Sequence, residues 1–152
     1  MGELTTDTAA ELRVLAFDPG ETTGVAIFHK GQVTCNVFGL WAWVPIYLNK
    51  VRPTVVVVED FRLRRHAAMS LVGSDFPTCQ VIGVIKYVAW LAKVPVVMQS
   101  SSILAGMKDR VVLPEEHRSH KNREHVLAAL SHGLYYLESQ DALEPYKRWL
   151  QD

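Results

Sequence analysis

Asp18 closes the apolar run Leu12–Phe17 (LRVLAF) and opens the turn Asp18-Pro19-Gly20, while Glu59 closes the valine-rich run Thr54–Glu59 (TVVVVE). Short apolar runs of this kind read as buried strands. The carboxyl ends of strands in an α/β sheet are where ligand sites gather. If the two strands are neighbours, both carboxylates face one crevice, where they repel unless a cation bridges them. Hard oxygen donors suit Mg2+ or Mn2+. Each acid alone has a plainer reading: an Asx turn at Asp18 and a solvated strand end at Glu59. Alternation sends the adjacent Asp60 to the opposite face.

A third cluster lies in Ser119–Tyr136 (SHKNREHVLAALSHGLYY). Helical spacing puts Lys121, Glu124, His125, Ala128 and His132 on one stripe. It runs beside an apolar stripe of Val126, Leu127, Leu130, Leu134 and Leu137, which predicts a helix over His120–Glu138. The plainer role for His132 is a hydrogen bond in the core.

The remaining elements must position these groups. Leu12–Phe17, Val25–His29 (VAIFH) and Gln32–Phe38 (QVTCNVF) read as a meander of strands, the last two joined at the Lys30-Gly31 turn. Leu40–Asn49 (LWAWVPIYLN) reads as a helix despite Pro45. The continuous valines of Thr54–Glu59 suit a central parallel strand covered on both faces. An Arg-rich connection, Phe61–Ser74, leads to a helix over Thr78–Lys93, with Val81, Ile85, Val88 and Ala92 inward and Pro95 closing it. Val94–Gln99 is a further strand, Ser100–Gly106 a short helix from a serine cap, Arg110–Ser119 a loop, and the tail from Ser139 a short packed helix. Trp41 and Trp43, like Tyr87 and Trp90, are expected in the core, the last two with a possible interface role. Three antiparallel strands followed by alternating helix and strand predict an α/β layered sheet. We expect one domain over residues 1–152, with 1–11 flexible.

Composition bounds the partners. The 152 residues carry 16 Lys plus Arg against 16 Asp plus Glu, a formal net charge of zero. No global basic field advertises a polyanion. Local clusters do exist, at Arg62, Arg64, Arg65 and His66, and at Lys108, Arg110, Arg118, Lys121 and Arg123. Both lie near the candidate acids, so binding to phosphates is expected to be modest and salt-sensitive. The hydrophobic fraction of 49% supports a sizeable core. Cys35 and Cys79 match no disulfide framework or zinc spacing, so a reducing, cytoplasmic setting is expected. No apolar run reaches the roughly 18 residues of a membrane span.

The segments Leu15–Phe28 (LAFDPGETTGVAIF), Val55–Phe61 (VVVVEDF), Ile82–Ala92 (IGVIKYVAWLA) leading to Val94–Val97, and His125–Leu137 (HVLAALSHGLYYL) resemble the RuvC-type Holliday junction resolvases of the RNase H-like nuclease superfamily. The flavour is that of phage-encoded members, which act in the host cytoplasm. The resemblance implies a mixed sheet with helices on both faces. It also implies phosphodiester hydrolysis with two divalent ions, Mg2+ or Mn2+, about 3.5–4 Å apart. Asp18 would bridge the ions, Glu59 would bind one, and the last helix would serve the other. His125 would bind metal or orient the water. A homodimer acting on a four-way DNA junction is implied, with Arg62, Arg64, Arg65, Lys108, Arg118, Lys121 and Arg123 on the phosphates. Phe61 and Met69 would wedge into the junction or, more plainly, pack under the loop.

One position departs from the family. Where it carries an aspartate three residues after His125, this chain has Ala128, which cannot bind metal. Either Glu124, one turn earlier on the same stripe, supplies the carboxylate, or the chain is an inactivated form of an enzyme with aspartate there. Other readings are an RNase H-like nuclease for flap DNA or RNA–DNA hybrids, and a non-catalytic DNA-binding protein of the same fold. Asp-Pro-Gly-Glu-Thr-Thr-Gly passes for the first phosphate loop of an actin-like ATPase, but the second loop has no counterpart.

Overall fold

A computed structural model describes residues 11–61 and 76–151. The sequence-predicted DNA contacts Arg62, Arg64 and Arg65, together with His66 and Met69, lie outside the described residues, as do residues 1–10 of the leader.

The strands are β1 (Arg13–Asp18), β2 (Thr22–His29), β3 (Gln32–Gly39), β4 (Val55–Glu59) and β5 (Val96–Gln99). They form one five-stranded sheet in the order β3-β2-β1-β4-β5. β1 to β3 pair antiparallel, and β4 and β5 extend the sheet in parallel from β1. The β2–β3 turn places Lys30 and Gly31 at φ 50° and 79°. Two positive values match the twist of a tight hairpin. Val55 to Val58 are all buried, as a parallel strand covered on both faces requires.

Alternation divides the sheet between two cores. Val14, Ala16, Val55 and Val57 meet α4 (Arg123–Ser139) on one face. Leu15, Phe17, Val56 and Val58 meet α1 (Val44–Val51) and α2 (Pro77–Leu91) on the other. A short α3 (Ser102–Met107) follows β5, and the tail forms a 3-10 helix at Glu144–Trp149. A second 3-10 turn, Glu115–His117, interrupts the expected loop.

Several boundaries differ from expectation. Pro45 does not sit mid-helix: α1 starts at Val44, so the proline occupies the first turn, where its missing N–H is no loss. Trp41 is consequently exposed, while Trp43 is half-buried against Phe17, Phe38 and Tyr47. The buried face of α2 is Val81, Ile82, Ile85 and Ala89, with Ala92 exposed beyond the helix end. Tyr87 and Trp90 stack on each other in solvent, not in the core. The Ser101 side chain makes no cap at α3; Ser100 Oγ accepts from the Ser102 N–H instead, at 3.2 Å.

Among the described helices α4 is the most enclosed, buried continuously from Ala128 to Leu134. Two glycines permit that depth. A Cβ on Gly133 would stand 2.0 Å from Phe28 Cε2, and one on Gly24 would stand 2.0 Å from the His125 carbonyl oxygen. The second contact is with backbone, which a rotamer change cannot relieve. Gly24→Ala should therefore push α4 off the sheet and destabilise the protein by about 1–3 kcal/mol in denaturant titration. Gly83→Ala, in open space on α2, should leave stability unchanged or raise it by up to about 1 kcal/mol. Equal loss in both would contradict this packing.

Candidate active site

β1 and β4 run in register, with Phe17 opposite Val58, so Asp18 and Glu59 come next at the same sheet edge. Glu59 in turn pairs with Gln99 at the end of β5. Phe17 and Val58 face α1 and α2, so alternation turns Asp18, Glu59 and Gln99 toward α4. The row of Asp, Glu and Gln spans two strand spacings, about 9.6 Å. α4 meets it with His125 and His132, seven residues or about 10.5 Å of helical rise apart.

The contacts follow that match. His125 Nδ1 lies 3.0 Å from Asp18 Oδ2. His132 is fully buried, with Nδ1 donating to Gln99 Oε1 at 2.9 Å. Its Nε2 faces Glu59 Oε2 at 3.4 Å, but the alignment makes no hydrogen bond and leaves this buried nitrogen unsatisfied. Asp18 and Glu59 are themselves hydrogen-bonded. The sequence-predicted trio Asp18, Glu59 and His125 is thus brought together from three elements.

Glu124 is not. One residue from His125 is about 100° around a helix, and that rotation leaves Glu124 exposed, with no hydrogen bond or ion pair to Asp18, Glu59 or His125. The carboxylate expected from Glu124 is therefore not part of the Asp18–Glu59–His125 cluster in this arrangement. Ala128 is buried midway between His125 and His132 and offers no donor. Gln99 and His132 take part although neither was assigned a site role. Their signal was present: all three parallel strands end an apolar run on a polar residue, and His132 follows His125 at two-turn spacing.

The two carboxylates titrate as a pair. Burial, followed by the hydrogen bond to Glu59 and its charge, pushes the Asp18 carboxyl up to about 8. Burial also works to raise Glu59, but the His132 imidazole 3.4 Å away, the carboxyl of Asp18 and the nearness of His125 hold it below the usual carboxylate range. The pair therefore retains a proton that two separate carboxylates would release. Among the described residues no three His, Cys, Asp or Glu side chains stand at ligand spacing about one point; the donors bond each other instead. Their chemistry fits Mg2+ or Mn2+, which bind through one or two carboxylates and keep several waters.

Of the predicted phosphate contacts, Lys108, Arg118 and Arg123 line one groove of about 480 Å3 beside the start of α4. Arg118 is braced by its Nε donating to the Leu113 carbonyl at 3.1 Å. Lys121 is exposed in the turn before the helix, outside the groove lining. Arg110 pairs with Glu138 at 3.8 Å. Phe61 packs edge-on against Phe76.

Comparison with solved structures identifies the architecture. Thermus thermophilus RuvC in complex with a Holliday junction substrate aligns with a TM-score of 0.59 at 15% identity, over 86% of this chain and 97% of that one. A second Thermus thermophilus RuvC structure aligns at 0.54 and 18% identity, over 86% and 98%. The yeast mitochondrial Holliday junction resolvase Ydc2 aligns at 0.58 and 12% identity, over 91% and 82%. No protein-family model and no curated protein matches the chain. The chain has the RuvC-type, RNase H-like α/β fold: three antiparallel strands, then parallel strands, with helices on both faces.

The shared proton gives a sign for pH dependence. Asp18 holds its proton in the folded state up to about 8, against an ordinary value of 3.8. Between those values the native state binds more protons than the unfolded one, so stability falls as pH rises. Metal-free protein should lose several degrees of melting temperature between about pH 5 and 8, and millimolar Mg2+ should restore them. Asp18→Asn should flatten the slope. A melting temperature that rises over this range would contradict the arrangement.

Proposed function

We propose that this chain is a divalent-metal-dependent endonuclease for branched DNA, resolving four-way junctions by paired nicks as a homodimer. The observation that carries this reading is the Asp18–Glu59–His125 cluster at the carboxyl edge of a RuvC-type sheet. Asp18 and Glu59, with His125 beside them, would hold the ions. Bound there, such ions supply a hydroxide at neutral pH and stabilise the leaving 3′ oxygen.

The chain's own groups do the rest. His125 steadies Asp18, and the Gln99–His132 pair fixes the approach to Glu59 from the buried side. Lys108, Arg118 and Arg123 hold backbone phosphates beside the helix that carries His125. Paired nicks need two sites, and a second copy would cover the apolar face of α1 and α2, where Ile46, Tyr87, Trp90 and Leu91 are exposed. The Arg62, Arg64 and Arg65 segment, which follows Glu59 directly, and the exposed Lys121 are proposed as further phosphate contacts.

Ala128 favours a second reading, a catalytically impaired DNA-binding protein of the same fold. A synthetic four-way junction separates the two. With Mg2+, the chain should cut the junction in preference to linear duplex and sediment as a dimer. Asp18→Asn and Glu59→Gln should each lower the rate by about 100-fold or more. Cutting confined to Ala128→Asp would establish the impaired form. Undiminished cutting by both Asp18→Asn and Glu59→Gln would overturn the proposal.

A further inference from the structure

The sheet pole opposite Asp18 carries a second polar site. A cleft of about 560 Å3 opens there, floored by the amino end of β1 and the β2–β3 hairpin and walled by α1. Arg13, His29 and Gln32 are directly opposite one another across β1, β2 and β3, so they share one face. Thr34 and Asn36 continue that face along the edge strand. Lys30 reaches in from the turn, and Tyr47 and Lys50 from α1.

This cleft gathers positive charge without a counterion. Arg13 Nη1 is fixed by donating to the Val51 carbonyl at 2.8 Å, while Nη2 lies 3.3 Å from His29 Nε2. Among the described residues no carboxylate lines the cleft, and Arg13, Lys30 and Lys50 have no ion pair. Converging cations of this kind are relieved by an anion. The neutral groups Gln32, Thr34, Asn36 and Tyr47 add hydrogen-bond donors for the several oxygens of an oxyanion. Asn36 Nδ2 donates to the Tyr47 hydroxyl at 3.4 Å, so the hydroxyl keeps its own hydrogen for donation.

We propose that this cleft binds a phosphate group. The distance from Arg13 to Asp18 along β1 is about 16 Å, or roughly five nucleotide steps at 3.4 Å each. A DNA arm leaving the catalytic edge would reach it, and that source rests on the nuclease reading above. A free phosphate monoester is the other source of the same chemistry.

The test titrates the isotope-labelled full chain, in EDTA, with inorganic phosphate and separately with a short DNA duplex, following the amides of Gln32, Thr34 and Asn36. Both titrants should shift these signals. The double variant Lys30→Asn/Lys50→Gln should weaken phosphate binding by about tenfold and lower the salt slope of duplex binding by about 2. Asparagine tolerates the positive φ at Lys30. Lys86→Gln on α2 serves as the control and should change neither. Shifts with phosphate but not with duplex assign the cleft to a free anion. No shift with either titrant, or unchanged affinity in the double variant, overturns the proposal. A chain that binds phosphate here yet cuts no branched DNA fails only as a nuclease.

Discussion

Everything at the candidate site depends on how closely α4 lies against the sheet at Gly24. Gly24 is the cross-strand partner of Asp18, and any Cβ there would overlap the His125 carbonyl. With no side chain in the way, the helix backbone settles directly over β2. His125 then projects onto Asp18, and two turns later His132 arrives over Glu59 and Gln99. A strand row fixed by hydrogen-bond register meets a helix row fixed by helical rise. The packing constraint and the chemical one are the same contact.

The fold was legible because its strongest elements carry unambiguous patterns. The four valines of β4 require cover on both faces, and the Lys30-Gly31 turn requires two positive φ values, and both hold in the structure. What misled was local. Pro45 read as an interruption, although a helix beginning at Val44 accommodates it. Of the two readings of Tyr87 and Trp90, core and interface, the core reading does not hold, because the buried face of α2 is shifted toward Ile82 and Ala89. No single-helix pattern says which stripe will find a partner.

The site divided along the same line. Asp18, Glu59 and His125 were visible as residue types at strand and helix ends. Gln99 shared the strand-end position but was assigned no role, because an amide there has no chemistry until register sets it beside Glu59. Glu124, drawn onto the same stripe by i and i+4 spacing, faces solvent and stands outside the cluster. Charge tells a parallel story. A net charge of zero conceals two partly buried acids that share a proton and basic groups gathered in two separate grooves. The neutral sum reflects this segregation and leaves phosphate binding open at both.

We propose that Asp18 and Glu59 form a pair that a divalent ion completes. Calorimetric titration of Mn2+ into the chain and into Asp18→Asn tests this without reference to any nucleic acid. The arrangement predicts saturable binding with proton release near pH 7, because the pair must give up its shared proton, and loss of both signals in the variant. Absence of binding by the unaltered chain, or binding undiminished in Asp18→Asn, would contradict it.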